Sequence, residues 1–518
     1  MLKNWLETML TYKMKYKKDQ NNKDYEDINF NLLKCVTDRF ELNDGYIDDI
    51  TWNDLEMNKV FTKLNGTYTL CGEELLYYWL KTPTQNSHDF LKRQEKLNYA
   101  KSYDDSLKTD LDTVGTYDYD YRNVVLNNKP EVTRDKKPFI IYSSLFLMIL
   151  LYSLSGLSVF LFGVCFSVLA IILFHYVYTL NNKYKINSFA YIVKIASFYV
   201  KNSSLIKSVY SEEYNLNKLE SVVEQIIKFD DAFNQLEGLN PLKDIGIVLT
   251  LSTYIKCIRM EKIVCQNKNE ILNIADILGE IDLSQAIDKY KNNNHTSQPV
   301  LSDDLETLEL EDAYNILIEG CVRNNVEIKN SIVITGSNMG GKSSFLRQVG
   351  ISIMLSQSLC FSLSTKHTGG FFTVMSSISL NDDIESGKSY FMKEAEAIQR
   401  MLDQDVGKQN TLMLIDEMFK GTNPIERLAA SVEILNRLSA HYKVIVTTHD
   451  IGILSDLNNF EFYHFEHNIS KEKMEFDYKI KLGITEVRNA VKLMEYIEYP
   501  KELINSINDR ILRMNSIV

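Results

Sequence analysis

The spacing of apolar positions changes character several times along the chain, and each change predicts a different kind of element. Between residues 54 and 100, Leu55, Val60, Phe61 and Leu64 recur at helical spacing. Gly66 interrupts them, and Gly72-Glu73-Glu74-Leu75-Leu76-Tyr77-Tyr78-Trp79-Leu80 resumes the pattern before Pro83, so helices broken at the glycine are expected. From Phe139 to Leu180 no Asp, Glu, Lys or Arg occurs, and His175 is the only ionisable group besides tyrosines and Cys165. A run of about forty residues is twice what one helix needs to cross a bilayer. With a turn at Ser153-Leu154-Ser155-Gly156 it predicts two membrane helices, roughly Phe139–Tyr152 and Leu157–Tyr178, forming a hairpin. From 186 to 295 the helical period returns, for example at Ile192, Ile195, Ala196 and Tyr199 and at Val222, Val223, Ile226 and Ile227. The polar stretch Lys291–Pro299 marks a boundary. Beyond it come short β-branched runs: Ser331–Thr335, Thr411–Ile415 ahead of two carboxylates, and Lys443–Thr448. Asn459–Phe465 and Glu475–Lys481 alternate apolar and polar around Ser470-Lys471, which predicts a β-hairpin.

Flanking charge orients the apolar hairpin. Lys129, Arg134, Lys136 and Lys137 precede it and Lys183 and Lys185 follow, so both ends, and with them both termini, are expected in the cytoplasm and the turn outside. Tyr142, Tyr176 and Tyr178 suit the interfacial belts. A buried helical hairpin within a soluble domain is the alternative, as is a shallow re-entrant pair, because the first helix is short. Met1–Gln20 has no apolar core or small-residue cleavage site, so no signal peptide is expected. Its Lys13, Lys15, Lys17 and Lys18, interleaved with Tyr12, Met14 and Tyr16, read first as a solvated helix end and second as a contact for lipid headgroups or nucleic acid. Tyr117-Asp118-Tyr119-Asp120-Tyr121 is expected at the surface.

Composition narrows the classes further. At 518 residues the chain exceeds one ordinary domain, and 45% hydrophobic content is ample for sizeable cores. A net charge of −12 means that any nucleic-acid surface must be a local cluster of Lys and Arg. The seven cysteines are scattered and lack C-x-x-C spacing, which argues against a zinc site and against disulfides.

The chemistry concentrates in Ile332–Gly350, IVITGSNMGGKSSFLRQVG. A strand ending at Gly336, the loop Gly336–Gly341 and a helix opened by Lys342 and Ser343 give G-x-x-x-x-G-K-[ST] in the context that binds nucleoside triphosphates. Loop amides and the helix N-terminus face the phosphates, Lys342 reaches the β- and γ-phosphates, and the Ser343 hydroxyl sits on Mg²⁺. The run ending in Asp416-Glu417 is a Walker B pattern: Asp416 holds Mg²⁺ and Glu417 orients or polarises the attacking water. His449, at the end of a third strand, stands where it can sense the γ-phosphate. Asp382–Glu394 (DDIESGKSYFMKE) is a polar turn opening a helix, an anion-ready N-terminus that need not serve its own P-loop.

Taken together these stretches resemble the MutS-type ATPases of DNA mismatch repair. TGSNMGGKSS (Thr335–Ser344), DDIESGKSYFMKE, LMLIDEMFKGTNPIERLAAS (Leu412–Ser431) and VTTHD (Val446–Asp450) look like that family's P-loop, signature loop, Walker B segment and histidine switch. Trp52–Ala100, above all GEELLYYWLKTP (Gly72–Pro83), resembles the start of its core and lever helices. The resemblance implies ATP contacts from Gly336, Ser337, Asn338, Met339, Gly340, Gly341, Lys342, Ser343 and Ser344, with Mg²⁺ at Ser343 and Asp416. It implies catalysis by Glu417 with Asn338 and His449. It further implies a dimer in which Ser386, Gly387 and Ser389 of one copy serve the nucleotide on the other.

The departures are as informative. Only about fifty residues precede the core match, too few for a mismatch-reading domain, and Met1–Ile50 holds no Phe-x-Glu reader. The long levers and DNA clamp are replaced by the apolar hairpin. Arg488-Asn489-Ala490 stands where the family usually has Ser-Tyr-Gly, against its adenine-side contacts. The expected fold is α plus α/β: a helical core/lever domain interrupted by a transmembrane hairpin, then a P-loop, ABC-type α/β ATPase domain. Its parts are an N-terminal helical segment (1–50), core helices (51–137), the hairpin (138–180, with lipid contact over 139–180), further core helices (181–295) and the ATPase domain (296–518). The expected function is a membrane-anchored ATPase of the cell membrane that binds DNA without reading mismatches. The alternative is an ATP-driven membrane switch acting on a protein or envelope client.

Overall fold

The computed structural model describes residues 28–37, 45–98, 105–116, 120–127, 157–229, 252–336, 340–378, 390–404, 410–419, 422–469, 474–484 and 490–515. The Met1–Gln20 run, the first membrane helix with its Ser153–Gly156 turn, Lys129, Arg134, Lys136 and Lys137, the Ser470-Lys471 turn, and Arg488 and Asn489 lie outside the described residues.

The C-terminal half is built on a six-stranded sheet. Its strands are β4 (Ser331–Thr335), β6 (Thr373–Ser377), β7 (Thr411–Asp416), β8 (Lys443–Thr448), β9 (Phe460–Ile469) and β10 (Met474–Leu482), in the order β10-β9-β4-β8-β7-β6. Every pairing is parallel except the β9–β10 hairpin. A parallel sheet is covered on both faces, which is why β4 and β7 read as continuous apolar runs. Ile332 and Ile334 pack with Phe345 and Leu346 of the helix Lys342–Leu359, while Val333, Met413 and Val446 pack with Leu435 and Leu438 of the helix Pro424–Ser439.

A second sheet consists of β1 (Val300–Leu301), β2 (Leu308–Ala313) and β3 (Asn324–Ile328), which precede β4, and β5 (Lys366–Gly369), which follows it, in the order β1-β5-β2-β3. Sequence reasoning named none of these strands. β2 carries Glu309, Glu311 and Asp312 on its outer positions and β3 has only Val326 and Ile328 as apolar residues, so their alternation is faint.

The N-terminal helices Asp49–Asp54, Met57–Leu64, Leu70–Lys81 and Ser87–Asn98 follow the expected spacing, with the break at Gly66. Asp48 caps the first by accepting from Thr51 N at 2.8 Å, and Thr69 caps the third by accepting from Gly72 N at 3.1 Å. Leu55, Phe61, Leu76, Leu80 and Phe90 share one apolar cluster with Leu346, Val349, Leu355 and Ile445. Each such side chain contributes about 2 kcal/mol by burial, so these helices are held by the sheet half of the chain. A second cluster is purely helical and contains Ile192, Ile195, Ala196, Tyr199, Val222, Val223 and Ile226 at the expected spacing, together with Leu278 and Ile281.

The long helix Lys268–Asn293 joins the two clusters: Leu283 and Ile287 lie in the first, Ile271 to Ile281 in the second. Its Asp282 carboxylate, fully buried, accepts from Tyr68 N (2.9 Å), Thr69 N (2.8 Å) and Thr69 Oγ1 (2.6 Å). The approach is so close that a Cβ on Gly72 would stand 2.3 Å from Asp282 Oδ2, and one on Gly279 would stand 2.8 Å from Cys71 O.

The acidic-aromatic stretch departs from expectation. Tyr121 is buried instead of lying at the surface, because it shields an ion pair: Arg122 Nε meets Glu74 Oε2 at 2.7 Å and Arg122 Nη2 meets Asp276 Oδ1 at 2.7 Å. The Tyr121 hydroxyl donates to the same Glu74 oxygen at 3.2 Å. Tyr121, Val124 and Val125 form the inward face of the short helix Tyr121–Asn127. Tyr117, Asp118 and Tyr119 lie outside the described residues.

Of the expected apolar hairpin, the second arm is a helix, Leu157–Asn181, three residues longer than the sequence indicated. It is long and apolar enough to cross a membrane, and only 6% of its Val164–Asn181 window is buried within the protein. Its inner edge meets the helix Ser252–Gln266, where Tyr178 and Tyr254 pack ring to ring at 4.7 Å.

One buried group makes stability depend on pH. His367 on β5 is fully enclosed, its Nδ1 3.0 Å from Ser362 Oγ, and burial pushes its imidazole down to about 3. The unfolded chain therefore takes up this proton first, near pH 6.5. The contribution is full above about pH 6.5 and is lost as pH falls towards 3, at about 1.4 kcal/mol per pH unit. His367→Gln should shrink the drop in thermal midpoint between pH 7 and pH 5; an undiminished drop would exclude His367 as its source.

Candidate nucleotide site

The order β4-β8-β7 sets the carboxyl ends of three parallel strands side by side, the usual location of a ligand crevice in an α/β sheet. β4 is central and wholly buried, paired with β8 on one side and β9 on the other. The chain leaves it through Gly336, φ +131°, where a Cβ would stand 2.8 Å from Phe465 O. It enters the helix through Gly341, φ +92°. A side chain at either position would strain the turn or clash, so both glycines are needed for the loop to close this tightly. Ser337, Asn338 and Met339 lie outside the described residues, as do Ser386, Gly387 and Ser389. Gly340 directly precedes the turn, and the Ser344 carbonyl accepts from Asn315 Nδ2 at 3.2 Å.

Lys342 opens the helix with its side chain only 2% exposed. Its ammonium donates to Gly336 O at 2.6 Å and lies 2.9 Å from His449 Nε2 and 3.5 Å from Glu417 Oε1. His449 Nε2 is also 2.6 Å from Glu417 Oε1. One nitrogen cannot accept from the lysine and donate to the carboxylate at once. The shorter contact favours a proton on Nε2 directed at Glu417, which leaves Lys342 to the Gly336 carbonyl and the Glu417 charge. Lysine, glutamate and histidine thus form a closed triangle.

Beside it, Asp416 accepts from Ser343 Oγ at Oδ2 (2.7 Å) and from Thr447 Oγ1 at Oδ1 (2.5 Å). A hydroxyl and a carboxylate in contact, both hard oxygen donors, fit Mg²⁺. No cluster of three or more His, Cys, Asp or Glu suited to a metal occurs among the described residues. Two protein ligands suffice for an ion that keeps waters and takes phosphate oxygens.

Two cavities adjoin the site. One of about 90 Å³ is bordered by Glu417, His449, Asp450 and Arg427, with Arg427 Nη2 3.0 Å from Asp450 Oδ1. A larger one of about 480 Å³ is bordered by Lys63, Tyr290, Tyr314, Asn315 and Arg323, and Asn315 links it to the start of the P-loop helix.

The structure therefore brings Lys342, Ser343, Asp416, Glu417 and His449 together. It adds residues that sequence reasoning assigned no role. Thr447 was visible in the strand Lys443–Thr448, but its bond to Asp416 depends on strand order. Arg347 Nε donates to Asp54 O at 2.7 Å, and the buried Asp54 carboxylate accepts from Ser376 Oγ (2.7 Å) and Ile378 N (2.8 Å). This ties the P-loop helix and the end of β6 to the N-terminal helices, and no local pattern announces it.

The family model described as MutS domain V matches residues 332–515, which hold all five of these residues. Residues 332–515 are thus similar to the fifth domain of MutS proteins. The chain is 28% identical over 299 residues to the DNA mismatch repair protein MSH3 of Vanderwaltozyma polyspora, covering 53% of this chain and 29% of that protein. It is 31% identical to Endonuclease MutS2 of Clostridium novyi over 48% of this chain and 32% of that one. Against the DNA mismatch repair protein MutS of Bacillus licheniformis it is 26% identical over 45% of this chain and 28% of that one. The match spans about a third of the length of these MutS-family relatives.

Thr447→Val preserves volume and removes the donor on Asp416. Magnesium-dependent nucleotide binding should weaken about tenfold, the loss of one hydrogen bond to a charged group, while binding in EDTA should not change. Equal losses with and without magnesium, read by calorimetric titration, would remove Thr447 from the metal side of the site.

Proposed function

We propose that this chain is a MutS-like ATPase that binds and hydrolyses ATP as a dimer and acts on DNA without reading mismatches. The observation that carries the reading is the convergence of Lys342, Ser343, Asp416, Glu417 and His449 at the ends of three neighbouring parallel strands. Lys342 leaves its triangle to meet the β- and γ-phosphates, and this frees the Glu417 carboxylate to orient water with Asn338 for in-line attack. His449, hydrogen-bonded to Glu417, reports whether the γ-phosphate is present. Ser343 and Asp416 would hold Mg²⁺, which when bound neutralises charge on the transferring group. Ser386, Gly387 and Ser389 of one copy complete the site of the other, so that ATP closes the dimer and hydrolysis reopens it.

Membrane attachment through 139–180, with the ATPase domain and both termini in the cytoplasm, is part of the proposal. It is supported by the exposed apolar surface of Val164–Asn181 and by the basic residues on both flanks. DNA binding is supported by the names of the MutS and MSH3 relatives. The same exposed helix, with the net charge of −12, favours a second reading, an ATP-driven membrane switch whose client is a protein or envelope component.

Glu417→Gln should bind ATP normally and turn it over at least ~100-fold more slowly, the scale of a lost general base. Turnover at the wild-type rate would remove the proposed catalytic centre. The two readings separate on ATP turnover by the detergent-purified chain across a salt series. Stimulation by duplex DNA that fades as salt rises, equal for matched and mismatched duplexes, supports the DNA-acting ATPase. Turnover indifferent to DNA at low salt supports the switch.

A further inference from the structure

Glu417 lies in a turn that is costly to hold. Glu417 and Phe419 are both left-handed non-glycine residues, with φ of +54° and +56°. Each is strained relative to an ordinary backbone conformation, so the turn persists only where its surroundings fix it. One restraint is backbone: Glu417 N donates to Thr447 O on β8 at 3.1 Å. The other comes from the helix Tyr390–Leu402. Glu394, 3% exposed, accepts from Phe419 N at 2.5 Å, and Phe391, one turn earlier on that helix, packs its ring 5.9 Å from the Phe419 ring. Phe419 is thus gripped at its amide and at its ring by two side chains on one helix face. A carboxylate accepting from an amide in a buried site makes a strong, directional bond. Losing it would leave a buried N–H without that acceptor, a cost that weighs against keeping the strained turn.

We propose that Glu394 is a positioning residue for Glu417. By fixing Phe419 it keeps the turn left-handed and the Glu417 carboxylate on His449 Nε2 and beside Lys342. The inference rests on the reading of Glu417 as the residue that orients the attacking water. It adds that this orientation is set from the helix Tyr390–Leu402, which begins directly after the segment carrying Ser386, Gly387 and Ser389.

The test uses the full chain with two readouts, ATP kinetics and amide hydrogen exchange over residues 411–419. Glu394→Ala removes the acceptor; Glu394→Gln keeps a carbonyl oxygen in its place. Glu394→Ala should lower kcat at least tenfold with KM within twofold, and should speed exchange at Phe419 while β4 stays protected. Glu394→Gln should stay within threefold of wild type on both readouts. Wild-type exchange in Glu394→Ala would overturn the proposal, as would fast exchange with unchanged kcat, or a loss of kcat and nucleotide affinity together in both variants. Should Glu394→Ala fail to fold, Glu394→Asp, which withdraws the carboxylate by one methylene, carries the same expectations, and wild-type behaviour there overturns the proposal equally. A wild-type chain that turns over no ATP would defeat the reading of Glu417, while the exchange experiment would still decide whether Glu394 holds the turn.

Discussion

An ammonium group sealed inside a protein must be neutralised there, and Lys342 sets this condition for the whole C-terminal half. Its side chain is 2% exposed, so water cannot solvate the charge. The fold supplies a carbonyl at Gly336, a carboxylate at Glu417 and, holding that carboxylate in place, an imidazole at His449, each from the end of a different strand. Only adjacent parallel strands deliver three such groups to one point, and only glycine at 336 and 341 lets the loop turn tightly enough to bring the lysine back over its own strand. The triangle also keeps the site charge-balanced: in the proposed cycle an arriving triphosphate would replace one anionic partner of the lysine by another, without uncovering a bare charge.

The features legible in the sequence were those whose physics is local. Gly336 to Ser343, the run into Asp416-Glu417 and the strand into His449 each carry their reason within a few residues, and the helical spacing at Ile192–Tyr199 is a property of one helix face. What escaped depends on contacts between distant segments. Asp54 and Ser376 are 322 residues apart, Asp282 and Tyr68 are 214 apart, and neither aspartate differs in sequence from a solvated one. Tyr121 was misplaced for the same reason, since nothing near it in sequence reveals that Glu74 and Arg122 would be buried together. The second sheet escaped because its outer positions are acidic and its inner ones few. Ser386, Gly387 and Ser389, and the middle of the P-loop, stand on their motif alone.

The N-terminal helices are attached directly to the sheet that carries the candidate nucleotide site. They share an apolar cluster with the sheet, and Arg347 and Asp54 fasten them to the P-loop helix and to the end of β6. Any displacement of the P-loop helix would therefore act directly on them. On the other side of the molecule, the apolar helix Leu157–Asn181 continues across Asn182 into Lys183–Lys201, a main element of the helical cluster. The exposed apolar helix and the candidate nucleotide site are separated by packed helices.

The helix Lys268–Asn293 gives that separation a length. Near its C-terminal end Tyr290 packs on Phe361 with ring centroids 5.5 Å apart, and at its start Glu270 pairs with Lys218 and Lys268 bonds to the Leu126 carbonyl. With Asp282 pinning the start of a second helix to its middle, it behaves as a stiff rod of 26 residues, about 39 Å long at 1.5 Å per residue. A tilt of about 10° at the sheet end would swing the far end through roughly 7 Å, more than one helical pitch. A small rotation at the sheet end would thereby become travel large enough to re-seat a helix.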